Sequence, residues 1–349
     1  MVNLSSSKAE SPWAAGYTQP AEWEAHRTCF TAWPAHEYAW GSQLRAAQRE
    51  FVGFVRAFAG ARDQEPLTLL VDREHLDEAR AALPDLGDRV GFECCPYGDV
   101  WLRDTGPVFL KGPSGIASVR FAWNGWGHKY VYPHDAQLSA RLAALRGYRE
   151  FACDFVLEGG AVEVDGRGTC LTTRSCLLNP NRDPVDELAT ETRLRDAFGA
   201  TNVIWLDAGL ANDHTDGHID NIARFVAQGV VACMQAHESD DPNRATLDAI
   251  AEQLGVATDA TGQRLRVARI PSPGRVLAAD GNVAPASYMN FYIGNCRVLM
   301  PVFGSRWDEP AREALQALFP RHEVIACGAR AILEGGGTFH CMTQQEPLP

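Results

Sequence analysis

Apolar residues recur along this chain with the two periods that distinguish amphipathic helices from strands. The stretch Ser42–Ala61 carries an apolar stripe at helical spacing, formed by Leu44, Phe51, Phe54, Val55 and Phe58. The same spacing predicts five further helices, at Glu74–Leu83, Asp135–Leu145, Val185–Phe198, Ala245–Leu254 and Pro310–Leu318. Helical pattern is therefore spread along the whole chain.

Short runs rich in β-branched residues lie between these helices and predict strands. They include Leu67–Val71, Val162–Val164, Val203–Leu206, Ile222–Val226, Val230–Met234, Val298–Val302 and Glu323–Ile325. Asp165-Gly166, just before Thr169, fits the turn of a hairpin. Because no proline- or serine-rich linker interrupts the alternation, we predict one α/β domain over residues 17–349, preceded by a flexible N-terminus over residues 1–16.

The composition is that of an ordinary globular protein, with 46% hydrophobic and 22% charged residues in a chain of 349. Such a chain can bury a large core. The net charge of -12 disfavours nucleic acids and anionic membranes as partners and would attract a cationic ligand. Acidity that keeps the protein dissolved explains this charge more simply, so the charge identifies no ligand by itself.

Ten cysteines are scattered through the chain without a CxxC pair, which indicates neither a zinc ribbon nor a disulfide scaffold. The first nineteen residues lack the pattern of a signal peptide, and no later stretch could span a bilayer. These features predict a cytoplasmic protein with reduced thiols. No phosphate-binding loop of the GxxxxGK[ST] or GxGxxG type follows a strand pattern.

The C-terminal motif GGGTFHC, residues 335–341, presents a cysteine after three glycines. Glycines allow a sharp turn and a close approach to a ligand, so Cys341 is a candidate nucleophile. Buried cysteines also serve as small hydrophobic residues, and this motif alone leaves that alternative open.

Two further motifs carry carboxylates. Asp104 lies in WLRDTGP, a strand-like run in which Asp104 and Arg103 would point to opposite faces. Arg103 is equally consistent with a salt bridge to another acid, and Trp101 with either the core or a flat surface that stacks on a planar cation. Glu158 directly precedes Gly-Gly where the backbone can bend around a ligand, although glutamates on the surface are common.

The motif NDHTDGHIDN, residues 212–221, contains two histidines. His218 and Asp220 are two residues apart and lead into a strand pattern, so an extended backbone would direct both to one face. His214 and His218 could instead bind a metal if this segment were helical. Gly217 and the β-branched residues that follow argue against a helix, and a histidine beside a carboxylate suits acid and base chemistry at neutral pH.

Asn290, in PASYMNFY, lies among aromatic residues in a pattern more typical of structure than of catalysis.

The motifs recur at similar intervals along the chain. The successive intervals are 71, 54, 60, 72 and 51 residues, measured along Trp33, Asp104, Glu158, His218, Asn290 and Cys341. Five intervals that each hold strand and helix pattern predict five modules around a centre, each donating one loop.

A centre that gathered these loops would hold a thiol, a histidine and the carboxylates of Asp104, Glu158 and Asp220. A cysteine protease has no use for several acids facing its substrate, whereas paired carboxylates match the N–H fork of a guanidinium. We therefore predict that the Cys341 thiolate attacks a guanidinium carbon. His218 would protonate the departing ammonia and then activate water to hydrolyse an S-alkylthiouronium intermediate.

Six ordered motifs make the chain resemble the agmatine deiminases, which belong to the bacterial-type peptidylarginine deiminase family of the guanidino-modifying superfamily. The motifs are WLRDTGP, LEGGAVEVDGRGT, LLNPNR, TDGHIDN, ASYMNFY and GGGTFHCMTQQEP. The likeness runs from Pro20 to the C-terminus. It implies a five-bladed, pseudo-fivefold α/β propeller of the pentein type. It also implies hydrolysis of agmatine to N-carbamoylputrescine and ammonia, a step of putrescine biosynthesis.

The resemblance implies that Cys341 is the nucleophile and His218 the general acid and base. Asp104 and Asp220 would hold the guanidinium nitrogens, and Glu158 would support His218 or the substrate.

Trp101 and Asn290 are implied as neighbours in the substrate site. The implied partner is a small cationic guanidino substrate, with no metal, organic cofactor, nucleic acid or membrane, and assembly into a homo-oligomer is left open.

The chain departs from the family in one place. Many agmatine deiminases carry an acidic residue just before TxGH, where this chain has His214, so the resemblance assigns no residue to the substrate's far end. Free arginine or a peptide C-terminal arginine is the nearest alternative substrate, and Arg103 or Arg224 would then bind its carboxylate. An amidinotransferase, or a binding protein without catalysis on the same fold, are the remaining alternatives.

Overall fold

A computed structural model describes residues 10–349. Over these residues the chain forms sixteen strands, most of them short. They are β1 His26–Ala32, β2 Leu67–Val71, β3 Val90–Cys94, β4 Val108–Gly112, β5 Gly115–Ala122, β6 Arg149–Val156, β7 Glu163–Val164, β8 Thr169–Thr173, β9 Asn202–Leu206, β10 Ala223–Ala227, β11 Val230–Gln235, β12 Arg266–Pro271, β13 Tyr292–Ile293, β14 Arg297–Val302, β15 Glu323–Gly328 and β16 Gln344–Pro347.

Six longer helices alternate with these strands. They are α1 Leu44–Ala59, α2 Leu76–Ala82, α3 Asp135–Arg146, α4 Glu187–Phe198, α5 Arg244–Val256 and α6 Asp308–Leu318. Short helical turns occupy Glu37–Trp40, Gly41–Gln43, Arg73–His75, Gly87–Arg89, Leu102–Thr105, Gly125–His128, Gly159–Ala161, Arg174–Leu177, Pro180–Arg182, Ile219–Asn221 and Arg330–Leu333. All six predicted helices are confirmed, as are the seven strands predicted between them and the hairpin between β7 and β8.

The strands are grouped in five separate sheets that repeat one arrangement. In four of them an antiparallel hairpin is followed by a parallel third strand, in the orders β4-β5-β6, β7-β8-β9, β10-β11-β12 and β13-β14-β15. One long helix, from α3 to α6 in turn, connects the two parallel strands of each sheet. A parallel pair requires such a crossover, because its two strands run in the same direction.

The fifth sheet joins the two ends of the described chain. Strand β16 pairs antiparallel with β1, which is followed by the parallel strands β2 and β3. Strand β16 therefore takes the place that the first hairpin strand has in every other sheet. The predicted modules are confirmed as the five blades of an α/β propeller.

The site motifs all occupy the same position in their blades, immediately before the first strand. Asp104 precedes β4, Glu158 precedes β7, His218 and Asp220 precede β10, Asn290 precedes β13, and Cys341 precedes β16. Because the five blades share one arrangement, the loops before their first strands lie at the same end of each blade. These five loops therefore converge at the centre of the propeller.

Helix α1 shows how the core supports this convergence. Its predicted apolar stripe is buried, with Phe51, Phe54 and Phe58 fully inaccessible to solvent. The ring of Phe54 packs against Phe339, two residues before Cys341, with 4.9 Å between ring centroids. Burial of each phenylalanine contributes about 1.5–3 kcal/mol, and here that energy also fixes the loop of the cysteine.

Two local predictions are wrong. The segment from Trp101 to Gly106 is a helical turn, not a strand, because the backbone N–H of Gly106 donates to Leu102 O at 2.9 Å. His218 and Asp220 likewise lie at a helical turn, Ile219–Asn221, and the strand begins only at Ala223.

The predicted flexible N-terminus falls partly outside the described residues, which begin at residue 10. Within the described part, the backbone N–H of Trp13 donates to Asp196 O at 3.0 Å, and that of Tyr17 to Pro12 O at 2.9 Å. Trp13 is thus hydrogen bonded to α4, and the bond from Tyr17 to Pro12 lies within the N-terminal segment itself. None of the helices in the described chain is long and apolar enough to cross a membrane.

Candidate active site

Cys341 lies at the centre of the five converging loops and is only 4% exposed. Its sulfur accepts a hydrogen bond from Asn290 Nδ2 at 3.0 Å and lies 3.4 Å from Asp220 Oδ2. Burial raises the pKa of the Cys341 thiol well above its ordinary value, and the charges of Asp220 and Asp104 raise it further. Without a ligand the sulfur is therefore a thiol that donates to Asp220.

Asp220 is held in place by His340. The two ring nitrogens of His340 lie 2.8 Å from Asp220 Oδ2 and 2.8 Å from Glu22 Oε2. Glu22 also accepts from Arg224 Nη2 at 2.6 Å. Although burial opposes it, the hydrogen bond and charge of His340 lower the pKa of Asp220. Asp220 is thus a charged carboxylate with a fixed orientation.

His218 is completely buried between two acids. Its Nδ1 lies 3.8 Å from Asp104 Oδ2, and its Nε2 lies 3.8 Å from Glu158 Oε2. Burial alone would lower the pKa of His218, but the Asp104 charge and the contacts with Cys176 and Glu158 raise it well above its ordinary value. Neither ring nitrogen makes a hydrogen bond within the described residues. His218 is thus an imidazolium whose protons are available.

Gly160 provides the space in which these groups meet. A Cβ at this position would lie 2.7 Å from His218 Nδ1 and 3.0 Å from both Asp104 Oδ1 and Asp220 Oδ2. The two carboxylates and the imidazole therefore surround one point above the Gly160 backbone. Only glycine leaves that point open.

Asp104 is oriented by two donors. Trp126 Nε1 donates to Oδ2 at 2.8 Å, and the backbone N–H of Gly160 donates to Oδ1 at 2.8 Å. Burial raises the pKa of Asp104 despite the neighbouring His218, and Asp220 and Glu158 contribute to the rise. A cation placed among these carboxylates would reverse this effect.

Glu158 is buried and anchored by Arg182, whose Nε donates to Oε1 at 2.9 Å. His218 and Arg182 lower the pKa of Glu158 against the opposing effect of burial. Together with Cys176 and His218 it offers ligand atoms within 4.8 Å of one another, a buried group of the kind that could hold a metal ion.

A cavity of about 150 Å³ leads to Cys341. Its wall contains the aromatic side chains of Trp101, Trp126, Tyr130 and Tyr132, together with His214 and three acids, Asp99, Asp104 and Glu334. No lysine or arginine of the described chain lines it. The cavity therefore suits a cation with an apolar stem.

The three glycines of the C-terminal motif form one wall of the cavity. A Cβ at Gly337 would lie 3.0 Å from the Cys341 sulfur and 2.9 Å from the Trp101 ring. Gly336 has φ +106°, a conformation that favours glycine. The predicted close approach of this loop to the cysteine is present in the structure.

The structure brings all seven predicted site residues together. Cys341, His218, Asp220 and Glu158 are buried within the cluster described above, and the side chain of Asp104 beside His218 is only 3% exposed. Asn290 contacts the sulfur, and Trp101 lines the cavity. Asn290 is more than the structural residue that its aromatic surroundings suggested, because its amide donates directly to Cys341.

Three other predicted possibilities are resolved by geometry. His214 lies at the cavity wall in a turn, stacked on Tyr130 with 5.6 Å between ring centroids, so the helical metal site with His218 is absent. Arg103 is buried and lies 3.7 Å from Glu22, and Arg224 is paired with Glu22 and Glu163. Neither arginine reaches the cavity.

Sequence reasoning missed several residues that shape the site, notably His340, Glu22, Arg182 and Trp126. His340 directly precedes Cys341 in the GGGTFHC motif, and that adjacency was the available signal. Trp126 lies in GWGH, where the backbone has φ +53°. A positive φ at a tryptophan is imposed by tertiary contacts, so the position of Trp126 could not be predicted from a sequence pattern.

Fold and site together define a five-bladed α/β propeller with a cysteine, a histidine and several carboxylates at its centre. The chain belongs to the Porphyromonas-type peptidyl-arginine deiminase family, whose model matches residues 18–347.

Similar proteins within this family are agmatine deiminases. The chain is 37% identical to an agmatine deiminase of Pseudomonas aeruginosa, over 99% of each chain, and 36% identical to one of Stutzerimonas stutzeri, over 96% of each. Among solved structures it is similar to the agmatine deiminase of Enterococcus faecalis, with a TM-score of 0.91 and 29% identity over 97% of this chain and 98% of that one.

Proposed function

We propose that this protein hydrolyses agmatine to N-carbamoylputrescine and ammonia. The observation that carries the proposal is the cluster of Cys341, His218 and three carboxylates at the base of a cavity that no lysine or arginine of the described chain lines. The similar proteins of Pseudomonas, Stutzerimonas and Enterococcus, each an agmatine deiminase, support the same substrate.

In the first half of the reaction, the guanidinium binds between Asp104 and Asp220. Its positive charge favours ionisation of the Cys341 thiol, whose pKa is otherwise raised by burial and by these same carboxylates. The thiol releases its proton to solvent and regains one when the product leaves. The thiolate adds to the guanidinium carbon to give a neutral tetrahedral intermediate. His218 then donates a proton to the departing nitrogen, the C–N bond breaks, and ammonia leaves behind an S-alkylthiouronium.

In the second half, neutral His218 takes a proton from water whose oxygen adds to the thiouronium carbon. The tetrahedral intermediate collapses by breaking the C–S bond, which returns the thiolate and forms the ureido product. The remaining hydroxyl proton is released to solvent, where ammonia binds it. Glu158 and Asp104, on the two sides of the ring, stabilise the imidazolium that forms again.

Arginine is disfavoured as the substrate. Its carboxylate would need a basic partner in the cavity, and the two arginines considered for this role are buried in ion pairs with Glu22 and Glu163. The acids on the wall, Asp99 and Glu334, would repel it.

A panel assay of ammonia release tests the proposal. Purified protein should release ammonia from agmatine much faster than from arginine or arginyl peptides. Release without an added acceptor amine excludes an amidinotransferase, which would transfer the amidino group instead. Activity on arginine alone, or none on any guanidine, would contradict the proposal.

We also propose that the protein works in the cytoplasm on its small cationic substrate, without nucleic acid or membrane partners. All ten cysteines are free thiols, which suits a reducing compartment. The net charge of -12 would attract a cationic ligand, although it identifies none by itself. Light scattering of the purified protein would show whether it forms the homo-oligomer that the sequence left open.

A further inference from the structure

One carboxylate in the cavity wall has no part in the reaction proposed above. Asp99 lies on the same short segment as Asp104, with Trp101 between them in sequence, and all three line the cavity. Asp99 is only 4% exposed, so what little of it is accessible faces this space.

The Asp99 carboxylate is only partly satisfied. Trp40 Nε1 and the backbone N–H of Val100 both donate to Oδ1, at 2.9 Å and 2.8 Å. Burial raises the pKa of Asp99 to about 6, against hydrogen bonds from Val100, Trp40 and the Trp101 side chain. No lysine, arginine or histidine among the described residues lies within 4.0 Å of the carboxylate, and His36 acts on it only from a distance. The nearby histidine, His36, is engaged with Asp72 at 3.2 Å. A buried carboxylate without a counter-charge is costly, and a cationic ligand would offset that cost.

The other polar groups of the wall are less suited to hold a cation. Glu334 accepts the backbone N–H of Ala279 with both carboxylate oxygens and is more exposed. His214 is stacked on Tyr130 and contributes no negative charge. Around Asp99, in contrast, the aromatic faces of Trp101 and Tyr132 provide surfaces on which an alkylammonium packs well.

We propose that Asp99 binds the terminal ammonium of the substrate's alkyl tail and so determines specificity for aminoalkyl guanidines. This inference rests on the proposed function, because it assigns the far end of the substrate whose guanidinium lies at Cys341. A tail ending in a carboxylate would be repelled by Asp99, and an uncharged tail would leave the carboxylate unpaired.

Two guanidines that differ only at the tail test the proposal. Agmatine and pentylguanidine have tails of equal length, but pentylguanidine has a methyl group where agmatine has an ammonium. Wild-type protein should prefer agmatine in kcat/KM. Asp99→Asn, which keeps the Oδ1 acceptor for Trp40 and Val100, should reduce this preference about 10- to 100-fold, mainly through KM for agmatine.

Two variants serve as comparisons. Asp99→Glu retains the charge and should retain most of the preference for agmatine, which keeps the test decisive if Asp99→Asn fails to fold. Glu334→Gln removes another charge from the same wall and should affect both guanidines alike. An equal loss for both substrates in Asp99→Asn, or a lost preference in Glu334→Gln instead, would overturn the proposal.

A binding measurement separates this inference from the proposed chemistry. Isothermal titration with agmatine should show that Cys341→Ser protein binds it. The double variant, which carries Asp99→Asn as well, should bind agmatine about 10- to 100-fold more weakly. Unchanged affinity in the double variant, or no binding to Cys341→Ser protein at all, overturns the role of Asp99. If wild-type protein binds agmatine through Asp99 but releases no ammonia, the proposed reaction fails while the ammonium site stands.

Discussion

The sulfur of Cys341 lies 3.4 Å from Asp220 Oδ2, so the candidate nucleophile faces a carboxylate before any substrate arrives. This contact distinguishes the site from one in which a neighbouring cation keeps the cysteine ionised. In the proposed reaction, activation of the thiol depends on the charge that the substrate brings.

The resting thiol should therefore be poorly reactive at neutral pH. Because burial and the carboxylates raise its pKa well above the ordinary value, the rate of alkylation of Cys341 by iodoacetamide should still be rising at pH 9. Mass spectrometry of the peptide containing Cys341 measures this rate, with exposed Cys94 as the internal reference. A plateau below pH 7 would show that the thiolate is already formed without substrate.

Cys341→Ser should reduce ammonia release from agmatine by about 10^3-fold or more, because a hydroxyl cannot replace the thiolate in the covalent step. Thermal unfolding should change little, since the two side chains are nearly equal in size. Cys94→Ser, at an exposed thiol, should leave the rate unchanged. Retained activity in Cys341→Ser would mean that another group attacks the substrate.

Gly160→Ala should lower kcat by about 10^2-fold or more, because the new methyl group would occupy the point where His218, Asp104 and Asp220 meet. Gly53→Ala is the matched control. Gly53 is exposed in α1 with no atom near its added Cβ, so the change should stabilise the protein by about 0.5–1 kcal/mol and leave kcat unchanged. Steady-state kinetics and urea unfolding of both variants check this, and equal kinetics would show that the space above Gly160 is not used.

His340→Phe should destabilise the protein by about 3 kcal/mol, because it removes the donors to two buried carboxylates, Asp220 and Glu22. Exposed His237 provides the control, and His237→Phe should cost far less. Urea unfolding measures both. Loss of kcat in His340→Phe beyond the loss of folded protein would show that the orientation of Asp220 matters to the reaction. A free energy of unfolding equal to wild type would refute this role of His340.

Asp135 should make the protein less stable as pH rises. Burial raises the pKa of Asp135 to about 7, well above the ordinary aspartate value, so the folded state holds a proton that the unfolded state has lost. The free energy of unfolding therefore falls as pH rises from about 4, the ordinary aspartate pKa, to about 7, the pKa in the folded protein. Asp99 and His36 are the charged groups that act on it.

Asp135→Asn removes this cost and should stabilise the protein by roughly 2 kcal/mol at pH 8, with little gain at pH 4. Urea unfolding at the two pH values measures the difference, and Asp240→Asn, at an exposed acid, should show none. A gain that is the same at both pH values would rule out titration of Asp135 as its cause.

Much of the fold was predictable because the same order of strands and helix recurs in each of the five modules. Amphipathic stripes such as that of α1 located the helices, and regular intervals between polar motifs indicated five modules. The local conformation at Trp101–Gly106 and at His218–Asn221 was not predictable, because each is a single helical turn. Such a turn is too short to show a period, and its apolar residues pack against other blades.

Some residues of the candidate site could be predicted from the sequence and others could not. Residues whose chemistry is uncommon in a motif, such as Cys341 and His218, could be found from the sequence and from the family resemblance. His340, Arg182 and Asp99 could not, because their importance depends on partners far away in the chain. Asp99 in particular is distinguished only by the absence of a counter-charge, which is a property of the folded cavity.

The pairing of β16 with β1 has a consequence for the order in which the enzyme is completed. During synthesis the acids and His218 leave the ribosome well before Cys341, and the cysteine is positioned only when the final strand docks on the blade begun at His26. A nascent chain thus carries the acids and His218 before Cys341 is in place. Proteolytic removal of β16 from the mature protein should likewise leave Cys341 unpositioned and abolish activity, although no residue of the cluster would be removed.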